Sequence, residues 1–220
     1  MSKVSLAGNA SGTGIFTIAS PNSNTDRTQT LPDNSGTIVT TGSTGVVTQS
    51  MLASGVGGKV LQVVQAFKSD YSTISTNINV GYASYPTIFS GSITPSTASS
   101  KILILYFISG SANQNIHMVS TIKRAISGGA TSFPALGDAA VDFYQATAGT
   151  RGIGANDYNL ANQSAQYLDS PNTTSAITYS IVGATEAANT WEINSNGENL
   201  SGQSWSTRFA SGMIMMEIGA

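Results

Sequence analysis

Residues 100–109 read SKILILYFIS. In an extended chain Ile102, Ile104, Tyr106 and Ile108 point to one face, and Leu103, Leu105 and Phe107 to the other. A strand that is apolar on both faces needs a cover on each. The closing segment, MIMMEIGA, repeats the problem: Met213 and Met215 oppose Ile214, Met216 and Ile218. One face of such a pair fills the core of a sandwich. The other needs a second cover, and two sources are open, the long stretch 130–170 or a neighbouring subunit.

Other short strand patterns recur between turns on both sides of this pair. YSTISTNINV alternates, with Ile74, Thr76, Ile78 and Val80 on one face. PTIFSGSI places Phe89 and Ile93 together. IHMVSTIKRAI sets Ile116, Met118, Ile122 and Ile126 against His117, Thr121 and Lys123, and Ser127–Gly129 supply a turn. SAITYSIVGA and TWEINSNG complete the series. DAAVDFYQA, residues 138–146, suits a helical turn or a strand equally. No 3.6-residue period persists over a dozen residues. The expected fold is therefore all-β, an antiparallel sandwich of jelly-roll type, with a barrel as the alternative.

Upstream of Lys59 the composition changes. Residues 1–40 hold GIFTIAS, a polar loop PNSNTD, RTQTL, the turn PDNSG and TIV. Pro32 presets its own φ, Asp33, Asn34 and Ser35 bond locally, and Gly36 tolerates positive φ, so the segment reads as a short hairpin. Residues 41–58 form a Gly/Ser/Thr linker, and 59–220 the β-domain. The arm has few large side chains: Ile15, Phe16, Ile18, Leu31, Ile38 and Val39. A ribbon so poor in apolar surface is marginal alone in water. Three copies around an axis, or one copy laid on a shell, would bury those residues and pair the strand edges.

Composition removes several function classes. Of 220 residues, 9% are charged and 40% hydrophobic, with a net charge of -2. Usual soluble domains carry roughly 25% charged residues. Phosphate binding needs clustered Lys and Arg, and Lys123-Arg124 is the only adjacent basic pair, so nucleic acid is not an expected partner. The opening MSKVSLAGNASG lacks the apolar core of a signal peptide. The run 102–108 is far shorter than the ~20 residues that span a bilayer, so no membrane association is expected.

Catalytic signatures are equally thin. There is no cysteine, and His117 is the sole histidine. A serine-type triad needs a base beside its nucleophile, and His117 reads instead as a surface residue on the polar face of a strand; zinc sites built on His and Cys are out. GTG at 12–14 and GVGGK at 55–59 lack the spacing of phosphate loops. Asp138 and Asp142 are close in sequence and Glu192 and Glu198 flank a turn, but neither pair stands out as a glycosidase pair. No enzyme activity, cofactor or metal is expected. The aromatics are the better lead, since Tyr and Trp suit partly wet recognition surfaces such as sugar faces. Trp191 and Trp205 read as core or subunit contacts. Tyr144 and Tyr158, in the irregular stretch, are the candidate ligand-contact residues.

The arm sequence GNASGTGIFTIASPNSNTDRTQTLPDNSGTIVTTG resembles a segment of tailed-bacteriophage virion proteins. There a Gly-rich strand precedes a P-N-(S/T)-N loop and an R-T-x-T-L-P-D-x-(S/T)-G-T hairpin. The matching residues are Gly14, Pro21, Asn22, Asn24, Arg27, Thr28, Thr30, Leu31, Pro32, Asp33, Gly36 and Thr37. LASGVGGKVLQVVQA resembles the junction that follows, and SITPSTASSKILILYFISGSA, YLDSPNTTSAITYSI and MIMMEIGA resemble the C-terminal domain. The likeness is patchy between residues 110 and 165.

The resemblance implies a non-enzymatic structural protein on the virion surface, assembled in the host cytoplasm and usually trimeric. The favoured role is capsid decoration, as a cement or head-fibre trimer. A short tail fibre recognising a host-surface glycan is the alternative, and a polysaccharide depolymerase a more distant one. Phe16, Ile18, Leu31, Pro32, Ile38 and Val39 would anchor the arm to sister subunits or to the major capsid protein.

Overall fold

The structure is a computed structural model. It describes residues 10–15, 17, 19, 22–26, 28, 60–112, 115–152, 160–196 and 206–219. The chain divides into two compact units, Met1–Thr48 and Gln49–Ala220. In the first, the backbone N–H of Thr25 donates to Ser23 Oγ at 3.2 Å, a local turn of the kind serine favours. The arm hairpin and the anchor residues Phe16, Ile18, Leu31, Pro32, Ile38 and Val39 lie outside the described residues.

The second unit is all-β. Its strands are β1 (Val60–Lys68), β2 (Ser72–Ile74), β3 (Thr87–Ile93), β4 (Lys101–Ile108), β5 (Gly110–Ala112), β6 (His117–Ile126), β7 (Thr131–Ser132), β8 (Ala148–Arg151), β9 (Gln163–Asp169), β10 (Ile177–Thr185), β11 (Trp191–Ile193) and β12 (Ser211–Ile218). One sheet runs β1-β12-β4-β9; the other runs β3-β10-β6, with β7 and β8 both pairing β6; a small sheet, β2-β11-β5, lies apart from both orders. Every named strand pairing is antiparallel. The first and last long strands pair, and each sheet takes strands from both halves of the chain. That interleaving is the double Greek key of a jelly roll.

The two long sheets share one core. Ile102, Ile104, Ile108, Met213 and Met215 from the first meet Phe89, Ile93, Met118, Ile122, Ile177, Tyr179 and Ile181 from the second, and Trp191 joins them, fully buried. Burying each such side chain contributes roughly 1.5–3 kcal/mol. Gly183 makes room for Trp191: a Cβ there would sit 2.9 Å from the indole and 2.9 Å from Ile88 Cδ1.

Two buried polar clasps cross the core. Arg124 Nη1 donates to both carboxylate oxygens of Asp169, at 2.8 and 2.9 Å, and Tyr179 Oη donates to Asp169 Oδ2 at 2.6 Å. Burial first, then the Asp169 carboxylate, push the Tyr179 phenol far above its ordinary range. In the second clasp Ser120 Oγ donates to Gln163 Oε1 at 2.6 Å, and Gln163 Nε2 donates to Met118 O at 3.0 Å. The Tyr106 hydroxyl shares a 2.9 Å bond with the Ser120 hydroxyl. Each clasp ties β9 of one sheet to β6 of the other, and a one-residue slip of either strand within its own sheet would strand a buried polar group.

Two segments depart from the strand reading. YSTISTNINV is a strand only over Ser72–Ile74; Ile78–Val80 is a 3-10 turn, capped by Asn77, whose side chain accepts from Asn79 N at 2.9 Å. Ile78 is buried and Val80 exposed. Residues 138–146 are neither helix nor strand but an irregular loop with a turn at 141–142.

Candidate functional site

The two outer faces of the sandwich differ, and each difference creates a surface. On the β3-β10-β6 sheet the outward residues of one half are polar, with Ser92 and Thr178 hydroxyls bonded at 2.9 Å. The other half presents Val119, Val182 and Ala184, all buried. Ile78, Tyr82, Tyr85, Phe133 and Ala146 pack over them. The Tyr82 and Phe133 rings meet edge-to-face at 5.0 Å. Tyr85 Oη donates to Ile78 O at 3.0 Å, which ties the cap together. Burial, then the neighbouring Tyr144, raise the Tyr85 phenol to about 12.

Residues 133–147 are held to β6 by their own bonds. Thr147 N donates to Ser120 O at 2.9 Å, Ile122 N donates to Thr147 Oγ1 at 3.1 Å, and Thr147 Oγ1 donates to Ala135 O at 2.7 Å. Thr121, expected on a polar face, is therefore fully buried. The long stretch does act as a cover, but over the sheet opposite to the one containing residues 100–109.

Among the described residues, the outer face of β1-β12-β4-β9 has no such cap. Cross-strand register builds three rows on it. Val63, Met216, Leu103 and Leu168 lie opposite one another, apolar across all four strands. Gln65, Ile214, Leu105 and Gln166 form the next row, and Phe67, Gly212, Phe107 and Ser164 the third. Gly212 leaves the aromatic pair room: a Cβ there would touch Phe107 at 3.4 Å. Val63 is 58% exposed, Phe67 62%, Phe107 46% and Leu168 47%. No residue of the three rows is charged. Exposed apolar side chains gathered on one face in this way make it a candidate interaction surface.

At the margin of the capped face lie two adjoining clefts, of about 390 and 380 Å³. Ile78, His117 and Tyr144 line both. Met118 and Val119 lie beneath the first, with Thr150 and Arg151 at its rim. Asn77, Asn79 and Glu186 edge the second. Tyr144, 55% exposed, donates its hydroxyl to Asn79 Oδ1. The Glu186 carboxylate accepts from the backbone N–H of His117 at 3.2 Å, and Glu186 Oε2 stands 3.6 Å from His117 Nδ1. Arg151 Nε donates to Asn115 O at 3.2 Å.

Of the expected ligand-contact pair, Tyr144 is at a cleft and Tyr158 lies outside the described residues. Trp191 is core, as one of its two readings held, and Trp205 lies outside the described residues. Sequence reasoning passed over His117, Glu186, Asn79 and Arg151, which come from four separate segments. A lone histidine at the polar start of an alternating strand carries no signal of what will fold beside it. Among the described residues, no group of three or more His, Asp or Glu is arranged to hold a metal ion. Asp138 and Asp142 are exposed on the irregular loop.

No family model matches the chain, and no curated protein matches it. Among solved structures, a chain of the infectious bursal disease virus Gx strain matches at 17% identity and a TM-score of 0.37, covering 72% of this chain and 32% of that one. A Gt-strain chain of the same virus matches at 14% identity and 0.35, covering 72% and 38%. The VP2 subviral particle of that virus matches at 14% identity and 0.30, covering 72% and 41%. The chain thus spans between 32% and 41% of the length of these matched chains.

Proposed function

We propose that the chain is a non-enzymatic structural protein of a tailed-phage virion, assembling as a homotrimer on the particle surface, with capsid decoration as its role. The observation that carries the assembly part is the uncharged outer face of β1-β12-β4-β9. Copies of this chain are its proposed occupants. A self-interface of these rows buries apolar surface without burying any charge, which is what makes it favourable. The net charge of -2 leaves little long-range repulsion between copies. The arm's LPDNSGT motif supports the virion setting, and a jelly roll suits shell and lectin-like roles alike.

Two measurements test the reading. Light scattering of the purified full chain should give three times the monomer mass; a monomer at all concentrations would refute the self-assembly. Quantifying the protein against the major capsid protein in purified particles should give a stoichiometry on the scale of capsid capsomers. A copy number on the scale of a single tail would instead select the second reading, a short tail fibre. The cleft beside Tyr144 is the observation that favours that second reading.

A further inference from the structure

We infer that the paired clefts at His117 and Tyr144 bind a neutral saccharide of one or two rings. The inference is independent of assembly state and of position on a particle, because the clefts lie on the capped sheet, away from the bare face.

The chemistry of the lining selects the ligand. Ile78 and Val119 give an apolar floor, both nine-tenths or more buried. The exposed Tyr144 ring stands at the margin, an aromatic surface suited to the C–H face of a pyranose. Around them stand amides at Asn77 and Asn79, a hydroxyl at Thr150 and the His117 imidazole, a set that both donates and accepts. Arg151 and Glu186 place one positive and one negative side chain at the rim, so the pair of clefts carries no net charge. A phosphate would find one cation in the first cleft, Arg151, whose Nε already donates to Asn115 O. A purely apolar ligand would strip water from the rim groups and return no hydrogen bonds. A ligand with hydroxyls around its edge and an apolar face satisfies both surfaces.

Backbone geometry points the same way. Ala187 holds φ 55° and ψ 28° in the turn Glu186–Ala188. A left-handed alanine is a disfavoured conformation, and such strain persists where the surroundings impose it. Here it accompanies a Glu186 carboxylate set against the His117 backbone. Asn115, two residues before His117, and Asp142, two before Tyr144, are also left-handed.

His117 is the only histidine, so its imidazole protons give isolated magnetic-resonance signals at the clefts. The full chain is titrated with maltose, lactose, cellobiose and N,N′-diacetylchitobiose, and separately with inorganic phosphate and glucuronate. At least one neutral disaccharide should shift the His117 signals saturably, while phosphate leaves them in place. Tyr144→Ala should weaken that binding about tenfold or more, and Tyr144→Phe, which keeps the ring, should weaken it far less. Glu186→Gln should also weaken it, and Phe67→Ser, on the bare face, should not. Tyr144 is exposed, so its variants are expected to fold, and thermal melting checks this. The inference is overturned if none of the four disaccharides gives a saturable shift, if phosphate or glucuronate alone does, or if binding survives Tyr144→Ala unchanged.

Discussion

On one outer face of the sandwich, Val119, Val182 and Ala184 lie under Tyr82, Tyr85 and Phe133 of the same chain. On the other, Val63, Phe67, Phe107 and Leu168 stand open to solvent. Both sheets present apolar side chains outward, and both therefore need covering. The β3-β10-β6 sheet gets its cover from the segments between β2 and β3 and between β7 and β8. Among the described residues, no segment lies over the β1-β12-β4-β9 sheet. Among the described residues the chain covers one of its outer faces and leaves apolar side chains exposed on the other.

The same chemical insult should have opposite consequences on the two faces. Val182→Asp puts a carboxylate where Val182 is fully buried, with no cation beside it. It should cost about 3–5 kcal/mol, enough to abolish a cooperative urea transition in a marginal fold. Phe107→Asp, on the bare face, should change the monomer's stability by no more than about 1 kcal/mol. It should nevertheless convert the assembled form to monomer in light scattering. If both variants unfold the chain, the second face is not a free surface; if neither alters assembly, it is not the interface.

An acid titration probes the end of the bare-faced sheet. Glu217 is buried, and burial alone would raise its carboxyl. Hydrogen bonds outweigh that effect. Ser96 N and Oγ donate to Oε1 at 2.7 and 2.6 Å, and Gln62 Nε2 donates to Oε2 at 2.6 Å. With Ser100 they hold the carboxyl down to about 2, against an ordinary 4.5. A folded pKa below the unfolded one means the stabilisation is complete above about pH 4.5 and is lost as pH falls toward 2. At about 1.4 kcal/mol per unit, roughly 3 kcal/mol is at stake. Glu217→Gln should flatten that limb of the stability profile; an unchanged acid limb would show that other carboxylates set it.

A smaller effect belongs to the cap. Tyr85→Phe removes the 3.0 Å bond to the Ile78 carbonyl and leaves that acceptor without it. The expected cost is about 1 kcal/mol, read as a lowered urea midpoint at constant m-value. Local hydrogen exchange should quicken around residues 78–85 and stay unchanged along β1 and β12, which keeps the two faces distinct.

Much of the architecture was legible in the residues. Alternation in Met118 and Ile122, the double apolar faces at residues 102–108, and the turn at Ser127–Gly129 all follow from local periodicity, which survives any tertiary arrangement. The inward set of β4, Ile102, Ile104, Tyr106 and Ile108, is the buried one. The rest was not local. Thr121 looks polar in sequence and is buried because residues 133–147 fold over it. Ile78 follows a strand pattern and sits in a 3-10 turn because it caps Val182 and Tyr85. Of the cleft, Tyr144 was visible as an aromatic in a polar loop. His117, Glu186 and Arg151 were not, since nothing in their own neighbourhoods says they will meet.

The sequence by itself determined that this chain is an antiparallel β protein with more apolar strand faces than one core can use. Side-chain alternation does that, because the pleat turns a period of two into two faces. Only the tertiary structure decided which face stays open. That choice depends on where residues 77–85 and 133–147 come to rest, through the bonds of Thr147 to Ser120 and Ile122 and the packing of Ile78 and Tyr85 with Val182, and those are contacts between segments far apart in the chain.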